Sequence, residues 1–281
     1  MIYSSLFISI AIIAVFMTCM FFLSLIKKDN SIVDTAYGIG FILIAIGTYL
    51  FFQPSHIVAV VLTTCVCLWA SRLSSRIWLR NSGQPEDFRY KKWRDTWKYF
   101  KTRSFFQIYV LQGAIIVAIS SPIIFVNSAI GFLRISPAMY WFLGIGLCVW
   151  LVGFFFEAVG DYQLDKFIAN KKALKASGKE IKKNIMDKGL WSLTRHPNYF
   201  GEVSMWWGLW IMSLTLIYAG SGTSSVNWGA LVAIISPITI TFLLLKISGI
   251  PMLEEKYKGD KEFDSYKRKV NAFFPYPRSN K

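Results

Sequence analysis

Charge is scarce in this chain, and acid is scarcer than base. Only 17% of the 281 residues are charged, against roughly a quarter in an average soluble domain, and 54% are hydrophobic. Histidine occurs twice, at His56 and His196, and cysteine four times. Cys19, Cys65, Cys67 and Cys148 all lie in apolar runs and none has zinc-type spacing, so a His/Cys metal site is excluded. The thiols read as small packing residues. There is no glycine-rich phosphate loop: Gly38–Ile39–Gly40 sits inside an apolar run and reads as helix packing. No serine is paired with a histidine in a triad-like arrangement. The first apolar run lacks a basic n-region and is too long for a signal peptide, so it reads as a membrane span.

Long apolar runs are what the chain does have, and mean hydropathy is +0.43. A spanning helix needs about 20 mostly apolar residues. Seven runs qualify with their flanks: 3–26, 32–52, 56–70, 104–126, 139–157, 203–218 and 228–245. The expected fold is all-α, a multi-pass integral membrane protein of about seven transmembrane helices in one domain, 1–281, with its cofactor-binding half at about 139–281. The net charge of +15 invites a nucleic-acid partner, but the distribution of base argues against one. With seven spans, all the Lys and Arg except Arg134 fall on one side. That is the positive-inside pattern, with the N-terminus outside and the C-terminus cytoplasmic. It also implies attraction to anionic membrane lipid.

Chemistry is therefore expected at the cytoplasmic face, in the loops 72–103 and 158–202 and the tail from Lys246. Arg72, Arg76 and Arg80 share one helical stripe, either a snorkelling end of the third span or an anion-binding surface. Pro197 fits the first turn of a helix running into the sixth span, whose N-terminal N–H groups attract anions. If helical geometry reaches back to Arg195, then Arg195, Asn198 and Glu202 share one face. Glu202 lies at membrane depth, where an ionisable group is expensive. Glu157 and Asp161 end the fifth span one turn apart and require cations or hydrogen-bond donors. Asp34, beside Tyr37, is either an N-cap or a buried acid lining a pocket. The sequence from Phe273 to Pro277 reads as a rigid aromatic strap at the interface.

The stretch Gly189–Leu190–Trp191–Ser192–Leu193–Thr194–Arg195–His196–Pro197–Asn198–Tyr199–Phe200–Gly201–Glu202 resembles the signature of the DUF1295 branch of the steroid 5-alpha-reductase C-terminal superfamily. Three other segments resemble that branch: Ser31–Ile32–Val33–Asp34, Arg80–Asn81 with Glu86–Asp87–Phe88–Arg89–Tyr90, and Ser248–Gly249–Ile250–Pro251–Met252–Leu253–Glu254. The resemblance implies a multi-pass helical oxidoreductase that binds NADPH from the cytoplasm. It would reduce an activated carbon–carbon double bond in a lipid such as a 3-oxo-4-ene steroid. Its site would take Asp34, Tyr37 and Glu202 as catalytic residues. Glu157, Asp161, Arg195, His196, Asn198, Tyr199, Lys246, Glu254 and Tyr257 would hold the cofactor, with no metal.

The chain departs from the steroid reductases at Glu157, where those enzymes tend to carry asparagine, and no tyrosine in the third span matches their substrate-polarising one. Isoprenylcysteine and phospholipid methyltransferases share Arg–His–Pro–x–Tyr–x–Gly and use S-adenosylmethionine. That is the alternative cofactor and function; Asn198 and Glu202 favour the reductase. The membrane implied is a bacterial inner membrane or an endoplasmic reticulum. Oligomeric state is not legible in the sequence. In a reductase of this kind hydride transfer to an enone builds charge on the carbonyl oxygen. Asp34 or Glu202, kept neutral by desolvation and aided by Tyr37, would donate a proton there.

Overall fold

The computed structural model describes residues 2–129, 135–181, 183–218 and 227–277. Arg134 and most of the connection at 220–227 lie outside the described residues. Every described element is helical: α1 (Ile2–Lys27), α2 (Ile32–Phe52), α3 (Ile57–Asn81), α4 (Phe88–Thr96), α5 (Phe100–Ser104), α6 (Leu111–Ile119), α7 (Ser121–Ser128), α8 (Tyr140–Ala176), α9 (Pro197–Ser213), α10 (Trp228–Val232), α11 (Ile235–Phe242), α12 (Ile250–Glu255) and α13 (Lys261–Lys269). Six stretches, Tyr3–Lys27, Ile32–Phe52, Ile57–Asn81, Phe100–Ile119, Pro137–Ala176 and Trp228–Glu255, are helical, long and apolar enough to cross a membrane. The chain is an all-helical, multi-pass membrane protein.

Several expected boundaries move. The third span does not stop at Ala70. It runs on to Asn81, carrying Arg72, Arg76 and Arg80 on helix, and His56 caps its start by accepting the Ala59 N–H at 3.3 Å. The fifth does not end at Glu157: α8 continues to Ala176 through Lys- and Leu-containing sequence of good helix propensity. Hydropathy ends where the apolar slab ends, but backbone hydrogen bonding does not. The fourth run is interrupted by a π-helical stretch, Phe105–Val110, and by a break at Ser120. The sixth is the 17-residue α9, which begins at Pro197 and closes in a 3-10 turn at Leu214–Leu216. Helical geometry does not reach Arg195.

The chain divides into two compact units, Met1–Ile145 with Leu209–Ser236, and Gly146–Gly208 with Pro237–Lys281. In the first, α2 packs on α1, α3 and α7. Asn127, fully buried, ties three of these helices. Its amide nitrogen donates to the Ala45 carbonyl and to Thr48 Oγ1, both at 3.0 Å, and its oxygen accepts from Thr63 Oγ1 at 3.3 Å. A buried amide satisfied this way fixes helix register where water is absent.

The second unit is organised by a glycine seam. Gly146, Gly153 and Gly160 recur every seven residues on α8, opposite Gly208, Gly201 and Pro197 of the antiparallel α9. A Cβ on Gly153 would lie 2.6 Å from the Gly201 carbonyl oxygen and 2.8 Å from the Met205 nitrogen. The two backbones therefore touch. The tail then folds over the loop preceding α9. Asp260 caps α13 through the N–H groups of Glu262 and Phe263, and acids in its first turn and bases in its last complement the helix dipole. Ile185, Phe263, Tyr266 and Val270 form a small core beneath it.

Candidate functional site

The sequence segments converge on two polar clusters, one in each unit. In the first unit, the start of α2 meets the start of α4. Tyr90 donates to Asp34 Oδ1 at 2.6 Å, and Arg89 Nη2 lies 3.1 Å from Asp34 Oδ2. Asp87 caps α4 by accepting the Arg89 N–H, and its own N–H donates to Ser31 Oγ at 2.7 Å. Glu86 accepts the Asn30 N–H at 2.8 Å and a bidentate pair from Arg94 at 2.8 and 3.0 Å. Planar two-point pairing of this kind fixes the loop in one geometry. Asn30 Oδ1 in turn accepts from Tyr109 at 3.0 Å. Burial, reinforced by Asp34, pushes the Tyr90 phenol well above its usual range, so it keeps its proton at neutral pH. Tyr37, expected beside Asp34, sets its ring edge-on to Phe41 at 4.9 Å. Ser31, not Asp34, occupies the N-cap position of α2.

In the second unit the hub is Glu254. Its Oε1 takes Arg195 Nε and Nη2 at 2.9 and 2.8 Å and His196 Nε2 at 3.1 Å, and its Oε2 takes Lys267 Nζ at 3.0 Å. Arg195 also donates through Nη1 to the carbonyls of Val270 and Lys267. Arg195 is thus a strut between the loop, α12 and the tail. Around it Arg195 N–H donates to Asn271 O, Thr194 Oγ1 to Ala272 O, and Tyr276 N–H to Leu193 O. Of the strap expected at 273–277, Tyr276 joins this second layer over the loop through its N–H, Phe273 sets its ring on Phe200 at 5.7 Å, and Phe274 and Tyr276 are exposed.

A carboxylate can only accept, so His196 carries its proton on Nε2 and presents Nδ1 as a lone pair. That Nδ1 is buried without a hydrogen-bond partner, and so is Asn198 Oδ1, two residues on. Burial pulls the imidazole below its ordinary range against the opposing effect of Glu254. The His196 ring stacks on Tyr199 at 5.5 Å. Across the seam, Glu157 and Asp161 are buried, and Glu157 backs onto Gly201 beside Glu202. Lys246 is exposed in the π turn that ends α11, and Tyr257 stacks on Phe263 at 4.8 Å.

Residues 20–270 match the family described as "Protein of unknown function (DUF1295)". The chain belongs to the DUF1295 family. No curated protein and no solved structure matches it. The family match spans all four segments from which the resemblance was read. In this DUF1295 protein, Asp34 and Tyr37 fall in the first unit, while Glu202 and the residues expected to hold a cofactor fall in the second. Sequence reading assigned no part to Tyr90, Asn30 or Lys267. Tyr90 was visible within the quoted segment, but nothing in a one-dimensional reading pairs it with an acid 56 positions earlier. The glycine heptads at 146, 153 and 160 and at 201 and 208 were a signal for the seam that hydropathy hides.

Proposed function

We propose that this protein is a membrane-embedded, NADPH-dependent reductase of an activated carbon–carbon double bond in a lipid. The observation that carries this reading is the 2.6 Å hydrogen bond from Tyr90 to Asp34. It holds a buried phenolic O–H, still protonated at neutral pH, in a fixed direction. In the resting bond that single proton points at Asp34; as charge builds on the oxygen of a conjugated carbonyl, the phenol would turn it from Asp34 to the oxyanion, leaving Asp34 held by Arg89. Asp34 orients the phenol and Arg89 orients Asp34.

The second unit fits a cofactor bearing N–H donors. Asn198 Oδ1 and His196 Nδ1 are buried acceptors in want of a donor, and a nicotinamide carboxamide carries one. The cofactor, when bound, supplies the hydride. Asn198 and Glu202 would meet the nicotinamide end, with Glu157 and Asp161 accepting from amide or ribose hydroxyl groups. Arg195, His196 and Glu254 hold the frame and keep the Asn198 end of α9 in place. Lys246 and the exposed lysines of the tail would meet phosphate.

A second reading has an observation of its own. Buried carboxylates and unpaired acceptors also suit the ammonium and sulfonium of S-adenosylmethionine, which would make the protein a methyltransferase. The two separate in one experiment. The protein is purified in detergent, its co-bound small molecules are identified by mass spectrometry, and NADPH and S-adenosylmethionine are titrated by calorimetry. NADPH binding with consumption of reduced cofactor on an enone panel is expected. Tight S-adenosylmethionine binding without NADPH binding would replace this reading with the second. The proposed orientation has seven spans with the N-terminus outside. It follows the asymmetry of base, and engineered cysteines at Gln84 and Gly178 should label only from the cytoplasm.

A further inference from the structure

The first unit holds a cavity of about 630 Å³ between α1, the stretch from Phe105 to Phe125, and α10 with the first residue of α11. It is hollowed by small residues, among them Ala14, Gly113, Ala114, Ala118 and Ala233, where larger side chains would fill the space. Pockets for small molecules run roughly from 300 to 1,000 Å³, so this volume is sufficient for a lipid chain. Two polar groups of its lining are already engaged: Ser121 Oγ donates to the Ala233 carbonyl at 3.1 Å, and the Tyr109 hydroxyl donates to Asn30. A ligand lying within it meets mostly hydrocarbon.

The rim is apolar too. Leu6, Ile10, Val110, Val232 and Ile235 line the cavity and are 41–56% exposed. On helices that cross a bilayer such a rim faces acyl chains rather than water, so whatever enters comes from the membrane. Behind this lining, joined to it by the Tyr109 hydroxyl, lies Asn30, which does not itself line the cavity. Asn30 is 1% exposed, and its Nδ2, on the amide whose oxygen receives the Tyr109 hydroxyl, is buried with no partner. A buried amide without a partner is destabilising, and a ligand acceptor would relieve it.

We infer that this cavity seats the hydrocarbon chain of a long-chain lipid, whose polar end offers a carbonyl or hydroxyl oxygen to Asn30 Nδ2. As a statement about substrate it rests on the reductase reading, and it replaces a compact steroid by a flexible-chain amphiphile. The same chemistry belongs to a resident bilayer lipid, and the experiment separates the two.

The full chain in nanodiscs is photolabelled with a palmitate analogue carrying a mid-chain diazirine, and cross-linked peptides are mapped. Labelling is expected on α1 and on the peptide containing Ala114 and Val117. The double variant Ala14→Phe with Ala114→Phe fills open positions and should lose it. Leu50→Phe, on an exposed face of α2, should keep it, as the control for folding and membrane partition. Label that is absent from these peptides, or that persists in the double variant, overturns the site. A long-chain enone that displaces the label where phosphatidylcholine and a steroid enone do not supports a substrate seat. Equal displacement by phosphatidylcholine overturns the substrate assignment. None of these readouts uses reduced cofactor, so failure of the reductase reading leaves a different trace, namely normal labelling with no turnover. Asn30→Asp keeps an oxygen for Tyr109 and removes the donor. It should weaken displacement by the enone and lower palmitate labelling as well, though less completely than the double variant, and unchanged displacement removes Asn30 from the site.

Discussion

Replacing Glu254 tests whether the second unit is held by one carboxylate. Glu254 is the common acceptor of Arg195, His196 and Lys267, and its side chain is 12% exposed. Glu254→Ala strands a guanidinium that is 7% exposed and an imidazole N–H that is 6% exposed. Breaking a buried pair by removing one partner typically costs about 3–5 kcal/mol. Arg195 keeps its bonds to the carbonyls of Val270 and Lys267, so the lower end applies, about 3 kcal/mol. Glu254→Gln keeps the shape and one acceptor but exchanges charge-assisted bonds for neutral ones, a loss of about 1–2 kcal/mol. Lys267 is 53% exposed, and Lys267→Ala should stay within about 1 kcal/mol of the parent. The signature is this order of damage: Glu254→Ala worst, Glu254→Gln next, Lys267→Ala least. Reversible unfolding in mixed micelles, followed by tryptophan fluorescence, measures it. A cycle with Arg195→Ala should return a coupling of about 1.5–3 kcal/mol, since each partner already strands the other. If Glu254→Ala unfolds within about 0.5 kcal/mol of the parent, or Lys267→Ala is the more damaging, the hub does not hold the tail.

Three further outcomes follow from the same geometry. Burial keeps His196 neutral in the fold while the unfolded chain takes up a proton near its ordinary pKa, so stability should fall as pH drops below about 6.5 and towards the lower folded value. A His196→Gln variant should flatten that slope in the same unfolding assay. Gly153→Ala pushes a methyl into the Gly201 carbonyl and should cost about 1–3 kcal/mol or more, whereas Gly144→Ala, with nothing within 4 Å of its Cβ, should be neutral or gain up to about 1 kcal/mol. Tyr90→Phe should leave NADPH affinity unchanged and lower kcat for enone reduction by about 100-fold; normal turnover would remove the phenol from the chemistry.

Much of this fold was legible because a bilayer imposes one strong rule. Six stretches are helical and apolar enough to cross a membrane, since backbone polar groups in hydrocarbon must pair internally, although the fourth run breaks at Ser120 and the seventh at 233–234. The ends were less legible. Past Ala70 and past Glu157 the residues turn polar, yet α3 and α8 run on, because helix propensity and hydropathy are different properties of a residue. The four chemistry-bearing segments were readable as motifs, but their pairing was not. Nothing local to Asp34 says that Tyr90 and Arg89 will meet it, and nothing local to Arg195 says that its charge will be absorbed by Glu254, 59 positions later. The resemblance made Arg195 a residue that would hold the cofactor, because a sequence shows what a side chain can do, not which neighbour has already engaged it.

The contact between α8 and α9 also limits how this protein can change length. Its glycines meet over two full heptads, about 21 Å at roughly 1.5 Å per residue. Deleting a single residue between Gly153 and Gly160 would turn one end of α8 by about 100° relative to the other. A side chain would then face the Gly201 carbonyl where only hydrogen fits. Insertions or deletions between Gly146 and Gly160 should therefore be lethal to the unit unless they restore the seven-residue phase. The stretch around Gly178, where a Cβ would meet nothing within 4 Å, is where homologous chains should differ in length.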